Sequence, residues 1–417
     1  MLVVFDGISR PIALIGCAHL RTRFAAILPG WRFEEVSSTE AAPIIRIRYR
    51  ADEGYRLESP WLAESFHDDT EVGIVCAFIL ELIAAYVAER PSLFCLHCAA
   101  AEFAGRLVVF PSSYHAGKSS LVAGLAAAGI PVFTDDVLPV TRSRDRGVAL
   151  GIAPRLRLPL PRGAGRQLRR FVARHRGPSN GRYLYLNLPP GILAPHGRQA
   201  PVGGFVLLDR QPDGRAELAP ASRGQILQRV IMQHFARAFA ATEIVDRLRV
   251  LIERVPCFSL RYARLDDAVA VLQERFAEWP ATTPQQEVRA LDRCPAPPPA
   301  LRRGGTGHAA GVPQFRQQHA VTLHALDDDL FLVDPRDQSI YHLNLVGAGL
   351  WRLLREPSTA AQAVEVLQAA FPGTDPERIA SDARGLLGDL LANDLIVVHD
   401  AGAAGSGPVP VRLAREA

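Results

Sequence analysis

Residues 107–119, with the sequence LVVFPSSYHAGKS, decide the fold of the central part of this 417-residue chain. The apolar residues 107–110 are typical of a short buried strand, and the loop that follows them ends in Gly117-Lys118-Ser119. An Ala/Leu-rich segment then predicts a helix over residues 119–128. In this order of strand, loop and helix, main-chain N–H groups of the loop and the helix N-terminus can bind phosphate.

Lys118 is the only lysine among the 47 Lys and Arg residues, so every other basic position is Arg. A compact ammonium group reaches the β- and γ-phosphates of a nucleotide in such a loop, and a planar guanidinium does not fit the same slot. This bias indicates that Lys118 is functional. A second interpretation, an ordinary loop before a helix that Ser119 caps, stays open because Gly-Lys-Ser is a short motif.

Two adjacent carboxylates, Asp135 and Asp136, follow the strand predicted at residues 132–134. The carboxyl ends of strands line the ligand crevice of an open α/β sheet. One carboxylate there can hold Mg²⁺ while the other accepts the proton of an attacking hydroxyl. The alternative is a solvated turn, since Asp is common after strands.

Residues 94–139 resemble the catalytic core of HPr kinase/phosphorylase, and particularly the HPr-kinase-related proteins of peptide-modification gene clusters. The similar features are the run HCAAAEFAGR at residues 97–106, the loop before Ser119, and the Asp135-Asp136 pair. The resemblance implies a P-loop kinase core of the HPr kinase/PEP carboxykinase type, with ATP and Mg²⁺ as cofactors. It also implies assembly into homo-oligomers.

The resemblance also implies roles for single residues: His97 and Lys118 would contact the phosphates, and Asp135 would be the general base. Ser119 and Asp136 would bind Mg²⁺. The predicted nucleotide-binding residues are Ser112, Ser113, Tyr114, His115, Ala116, Gly117, Lys118, Ser119 and Ser120.

The chain departs from the family pattern in two respects. Ser112 replaces the usual first glycine, and His115 occupies a position where related loops often have Gly, which puts the detailed loop geometry in doubt. The Gly-rich segment with which the family engages the HPr protein is absent, so HPr is not the expected substrate.

Residues 313–398 differ chemically from the rest, with 12 acidic and 6 basic residues. A Pro/Gly-rich segment at 281–312 predicts a linker before them. Three short strands and then three helices are predicted over residues 321–393. We therefore expect a separate C-terminal module.

This module resembles the PqqD family, the peptide recognition element of ribosomal peptide maturation systems, in the runs FLVDPR, YHLN, VGAGLW and LLGDLL. The resemblance implies a winged-helix-like α+β domain in which a leader peptide adds a strand beside the third strand and packs on the third helix. The expected peptide-binding residues are Ile340, Tyr341, Leu343, Leu386 and Leu390. The alternative, that these apolar residues form the core of the module, stays open.

The remaining sequence adds no second chemistry. Residues 1–91 predict a small α/β domain, 92–280 the kinase domain, and 399–417 a disordered tail. Residues 72–87 predict a buried helix because Glu81 interrupts an otherwise apolar stretch. Scattered cysteines and the lack of a signal peptide favour a cytoplasmic protein without a membrane partner.

Two further patterns have simpler explanations. Cys95 and Cys98 form a CxxC pair, but no second pair completes a zinc site. A basic run could guide phosphate or an acidic peptide, although such a run is more often a solvated helix face: Arg162, Arg166, Arg169, Arg170, Arg174, His175 and Arg176. A net charge of +4 and the absence of interleaved aromatic residues argue against nucleic-acid binding.

Together these features predict a cytoplasmic MgATP-dependent kinase that phosphorylates a hydroxyl, foremost serine, of a ribosomally made precursor peptide held by the PqqD-like module. One alternative is a non-catalytic, nucleotide-gated peptide chaperone or adaptor. Another is a kinase of a small metabolite or free amino acid. Pyrophosphate also remains open as the phosphate donor.

Overall fold

The computed structural model describes residues 1–38, 40–111, 117–141, 145–161, 163–232, 239–279, 312–318 and 320–399. These residues form two compact units, and Ala240–Val245 groups with the described C-terminal residues rather than with its chain neighbours. Both units combine helices and sheets, which confirms the predicted mixture of α and β structure. The predicted boundary at residue 91 lies inside the first unit and stays a prediction. Apart from Val312 and His399, the predicted linker and tail lie outside the described residues.

The N-terminal part forms a six-stranded sheet in the order β3-β1-β2-β4-β5-β6. Ile45 and Ile47 of β4 are buried and Arg46 between them is exposed, the alternation expected of a strand with one face on a core. The elements are β1 (Leu2–Phe5), β2 (Ile12–Ile15), α1 (Leu20–Ile27), β3 (Phe33–Val36), β4 (Ile45–Arg50), β5 (Gly54–Glu58), β6 (Phe66–Asp68) and α2 (Glu71–Ala88).

Helix α2 is the apolar helix predicted from the sequence. Its N-cap Thr70 accepts a hydrogen bond from the Gly73 N–H, a cap that contributes about 1 kcal/mol. By length and composition α2 could cross a membrane, with a mean hydropathy of 2.1, and 61% of it is buried inside the protein. Glu81 is buried and accepts a hydrogen bond from the Ser59 hydroxyl. The prediction of a buried helix is therefore confirmed.

The central sheet has nine strands, of which seven follow the order β10-β8-β9-β16-β12-β11-β7, and β18 pairs with β16 and β17. The pairs β9–β16 and β16–β18 are parallel, so the carboxyl ends of β9, β16 and β18 meet at one edge. The strands are β7 (Leu93–His97), β8 (Ala99–Phe103), β9 (Arg106–Phe110), β10 (Val132–Thr134), β11 (Val137–Thr141), β12 (Arg146–Val148), β16 (Gln199–Arg210), β17 (Glu217–Pro220) and β18 (Cys257–Tyr262).

Helix α3 (Lys118–Ala127) follows β9 across the loop, so the predicted order of strand, loop and helix is confirmed. Its buried side chains join a core with β8, β9 and the later helix α7 (Leu265–Phe276). The other helices of this part are α4 (Arg166–Arg174), α5 (Arg223–Ile231) and α6 (Ala241–Glu253). A small sheet holds β13 (Arg155–Arg157), β14 (Arg176–Ser179) and β15 (Tyr183–Leu186) in the order β13-β15-β14.

The C-terminal unit contains the three predicted strands and three predicted helices. Strands β20 (Thr322–Leu326), β21 (Asp329–Val333) and β22 (Ile340–Leu343) form an antiparallel sheet. The helices are α8 (Leu345–Leu353), α9 (Ala360–Ala370) and α10 (Pro376–Ala392). Sequence reasoning missed a second small sheet of β19 (Gln314–Gln317), β23 (Ser358–Thr359) and β24 (Ile396–His399). Its strands are far apart in the sequence and too short for periodicity to show them.

Local signals explain where these helices begin. The Asn344 side chain accepts a hydrogen bond from the Gly347 N–H at the start of α8. Thr359 and Gln362 form a reciprocal capping box at α9, and Asp375 caps α10 before Pro376. A Cβ atom on Gly347 would lie 3.3 Å from both Leu343 and Leu386, so a larger residue would require these neighbours to shift by a few tenths of an ångström.

Candidate functional site

The N-terminus of α3 is the centre of the candidate site. Gly117 has a φ of 91°, the left-handed region in which glycine avoids a Cβ clash, and it precedes Lys118, the first helical residue. A Cβ atom at Gly117 would lie 3.0 Å from the hydroxyl oxygen of Tyr262. The predicted phosphate-loop residues 112–116 lie outside the described residues, whereas Ser119 and Ser120 occupy the first turn of α3.

The two aspartates lie in the turn between β10 and β11, as expected from the sequence. The hydroxyl oxygen of Thr134 accepts hydrogen bonds from the N–H groups of Asp136 and Val137, both at 3.1 Å. These bonds hold the turn in one conformation and direct the two adjacent carboxylates to different partners.

Asp135 is buried, with 8% of its surface exposed. Its Oδ2 accepts hydrogen bonds from the Ser119 hydroxyl at 3.1 Å and from the Arg155 N–H at 3.0 Å. Burial, together with the negative charge of Asp136, raises the pKa of Asp135 to about 6. A carboxyl group with such a pKa can exchange a proton near neutral pH.

Asp136 is more exposed and lies between two donors. Its Oδ1 is 3.4 Å from His97 Nε2, and its Oδ2 is 3.6 Å from Arg155 Nη2. His97 ends β7 and pairs with Val137 of β11, so the sheet register brings His97 beside the aspartate turn. Burial lowers the pKa of His97 despite the nearby Asp136, so the imidazole is neutral at neutral pH.

Lys118 shares this environment. Burial lowers the pKa of its ammonium group, and the nearby Arg229 acts in the same direction, while the charges of Asp136 and Asp135 act against them. The structure therefore brings together His97, Lys118, Ser119 and the aspartate pair, as the resemblance implies. The roles of these residues stay predictions.

Sequence reasoning missed Arg155, which begins β13 and contacts both aspartates. Its guanidinium also donates to Cys76 Sγ of α2 and lies 4.7 Å from the centre of the Tyr183 ring. Arginine is so frequent in this chain that no local signal distinguishes Arg155. Only the pairing of β13 with β15, which places this residue beside the turn, could have identified it.

The CxxC pair does not resemble a reactive site. Cys95 and Cys98 are both buried and free. Burial raises the pKa of Cys95 to about 12 and that of Cys98 further, so both remain thiols at neutral pH, whereas redox and metal chemistry use the thiolate. In the described part of the chain no group of three or more His, Cys, Asp or Glu side chains could hold a metal ion.

The basic run lies largely on α4. Leu168 and Val172 of this helix are buried, and its arginines are on the exposed face, which is the arrangement of an amphipathic surface helix. Arg162 lies outside the described residues.

A second candidate site lies at β22 and α10 in the C-terminal unit. Among the described strands β22 pairs with β21 alone, which leaves its other edge without a strand. Ile340, Tyr341 and Leu386 are half-buried, and the Tyr341 hydroxyl donates to Asn393 Oδ1 at 3.4 Å. An edge strand beside a partly exposed helix can accept an added peptide strand.

Two of the five predicted peptide-binding residues are core residues of this unit. Leu343 and Leu390 are 4% and 2% exposed and pack with Leu330, Trp351 and Leu387. Their side chains are therefore not available to a peptide. When apolar residues occupy both the buried and the half-buried positions of a strand or helix, the periodicity of the sequence cannot tell these positions apart.

Comparison with known proteins identifies the C-terminal unit. The family model of coenzyme PQQ synthesis protein D (PqqD) matches residues 329–396, so this chain contains a PqqD domain at its C-terminus, as the sequence resemblance predicts. Among curated proteins no sequence match is found.

Two solved structures are similar to parts of the chain. TbiB1 in complex with the TbiA(beta) leader peptide is 24% identical, with a TM-score of 0.18, over 22% of this chain and 99% of that chain. The Hpr(Ser) kinase/phosphatase from Coxiella burnetii is 12% identical, with a TM-score of 0.22, over 43% of this chain and 90% of that chain.

Proposed function

We propose that this protein is a cytoplasmic MgATP-dependent kinase that phosphorylates a serine hydroxyl of a ribosomally synthesised precursor peptide, which the PqqD domain holds. The observation that carries the proposal is the convergence of His97, Asp135 and Asp136 on the first turn of α3, where Lys118 and Ser119 lie. A phosphate-binding helix start, two carboxylates and a single lysine are the parts that phosphoryl transfer requires.

The residues present fit MgATP. Hydroxyl and carboxylate oxygens suit Mg²⁺, which proteins hold through one or two carboxylates together with substrate phosphates. Ser119 and Asp136 each adjoin Asp135, Ser119 through a hydrogen bond of 3.1 Å and Asp136 as the next residue in the chain, so the two groups expected to hold Mg²⁺ belong to one cluster. Bound MgATP would supply the transferable phosphoryl group and the positive charge that neutralises it.

Each residue then has a chemical role. The Lys118 ammonium and the N–H groups at the start of α3 bind phosphate oxygens, and the neutral His97 imidazole can donate a hydrogen bond there. Both hydrogen bonds that Asp135 accepts go to Oδ2, which leaves Oδ1 to take the proton of an acceptor hydroxyl. Asp136 and Ser119 would hold the Mg²⁺.

The PqqD domain supports a peptide rather than a small metabolite as the substrate. The edge of β22 that pairs with no described strand and the partly exposed Leu386 of α10 offer main-chain hydrogen bonds and an apolar contact to a leader peptide. A leader bound there would keep its acceptor serine at a high effective concentration for the kinase domain.

The direct test is transfer of label from γ-labelled MgATP to the short peptides encoded beside the gene. We expect a labelled peptide with the wild-type protein and with Asp209→Asn, a matched control at the exposed end of β16. We expect no label with Asp135→Asn. ATP binding that requires Lys118, without label on any peptide, would instead favour the adaptor.

A further inference from the structure

Arg155 is held on several sides at the edge of the candidate site. Its main-chain N–H donates to Asp135 Oδ2 at 3.0 Å, and its Nη2 lies 3.6 Å from Asp136 Oδ2. Its Nη1 donates to Cys76 Sγ, and its guanidinium lies over the Tyr183 ring. Because the side chain is only 28% exposed, these contacts restrict it to one orientation.

The charge of this arginine is permanent. Although burial acts against it, the pKa of Arg155 is raised further above its usual value by Cys76, Tyr185 and the two aspartates. Two other basic groups lie near Asp136: His97 Nε2 is 3.4 Å from its Oδ1, and the Lys118 ammonium interacts electrostatically with both aspartates. Arg155 therefore brings a fixed positive charge to two adjacent carboxylates that repel each other.

We propose that Arg155 is a positioning residue that fixes both carboxylates, Asp135 through its main-chain N–H and Asp136 through its guanidinium, and that it supplies their counter-charge when no metal is bound. The inference rests on the proposed function for the identity of the metal and the reaction. Neither the phosphate-loop motif nor the aspartate pair predicts this role of Arg155.

The first test measures thermal unfolding with and without Mg²⁺ at matched ionic strength. Arg155→Gln keeps the main-chain bond but removes the charge, so its unfolding temperature falls by a few degrees without metal, and Mg²⁺ raises it more than in the wild type. Arg155→Lys, which keeps the charge, lies closer to the wild type in both conditions. Equal Mg²⁺ shifts in the wild type and Arg155→Gln, including no shift in either, overturn the proposal.

A matched control and a double variant separate positioning from general packing. Arg182 lies 5.1 Å from the same Tyr183 ring without an ion pair to either aspartate, so Arg182→Gln should behave as the wild type. In Arg155→Gln/Asp136→Asn the second substitution removes the uncompensated charge. We therefore expect the double variant to lose less than the sum of the single losses, and strict additivity contradicts the inference.

The second test is the kinetics of phosphoryl transfer. Misplaced carboxylates slow the chemical step, so Arg155→Gln should lower kcat by about 100-fold with a smaller change in the KM for MgATP, and Arg155→Lys should recover part of kcat. An unchanged kcat overturns the inference. If the wild type transfers no phosphate at all, the proposed function fails, while the metal-dependent unfolding still decides the role of Arg155.

Discussion

At the scale of single residues, Asp135 combines a cost to stability with a role in the proposed chemistry. The folded protein raises the pKa of Asp135 from its usual 3.8 to about 6, mainly through burial and then through Asp136. The stabilising contribution of the protonated carboxyl is complete below the unfolded pKa and is lost as the pH rises through about 6. Above that pH the buried carboxylate destabilises the native state.

Asp135→Asn is therefore expected to stabilise the protein while abolishing transfer. Near pH 8 the free energy of unfolding should rise by up to about 3 kcal/mol, because the amide removes the buried charge and its oxygen still accepts the two hydrogen bonds. The gain should shrink as the pH falls from 6 to 4. Denaturant unfolding over this range checks it, and a constant difference between variant and wild type would contradict the assignment.

The same pKa predicts the pH dependence of transfer. As the pH falls below about 6, kcat/KM should decrease about tenfold per unit, because protonated Asp135 cannot accept the proton of the acceptor hydroxyl. Since kcat/KM reports the free enzyme, the inflection belongs to the site without nucleotide. A profile that is flat from pH 5 to 8 would exclude Asp135 as the group that titrates.

Lys118→Arg tests the one position where the chain uses lysine. Arginine keeps the charge but replaces a compact ammonium with a planar fork, so we expect nucleotide binding to weaken and transfer to fall by about 100-fold or more. Calorimetric titration with MgADP and thermal unfolding of the same samples distinguish a lost contact from a lost fold.

At the scale of elements, the orientation of helix α10 decides which leucines a peptide can reach. Leu386 is half-buried and lies beside Gly347 of α8, whereas Leu391 of the same helix is 37% exposed. We expect Leu386→Ala to lower the affinity for a labelled precursor peptide about tenfold and Leu391→Ala to leave it unchanged. Equal affinities of the two variants in fluorescence polarisation would place the peptide elsewhere.

At the scale of the whole molecule, the proposed function requires one peptide substrate to engage both units. A precursor peptide that lacks its leader should be phosphorylated with a KM raised about 100-fold and a nearly unchanged kcat, because the tether provides concentration rather than chemistry. Leu386→Ala should remove most of the difference in KM between the full-length and the leaderless peptide. A leaderless peptide that reacts as well as the full-length one would favour the small-substrate kinase.

Point variants suit this test better than truncation of the chain. Ala240–Val245 belongs to the same compact unit as the PqqD domain, and the Ala241 N–H donates to Gln338 Oε1 at 2.8 Å. Removal of the C-terminal residues would therefore strip the packing from a segment that lies well before the linker. The sequence predicted a C-terminal module that begins after the linker. It did not include Ala240–Val245, because a segment of six residues is too short to show a pattern of its own.

The sequence by itself determined the local features of this protein: β9, α3, the aspartate turn, the apolar α2, and the strands and helices of the PqqD domain. Their signals are periodicity, caps and short motifs, which act over a few residues. Only the tertiary structure decided that Arg155 joins the aspartates, that Leu343 and Leu390 are core, and that burial raises the pKa of Asp135. These properties depend on contacts between distant segments and on the exclusion of water, which no local pattern encodes.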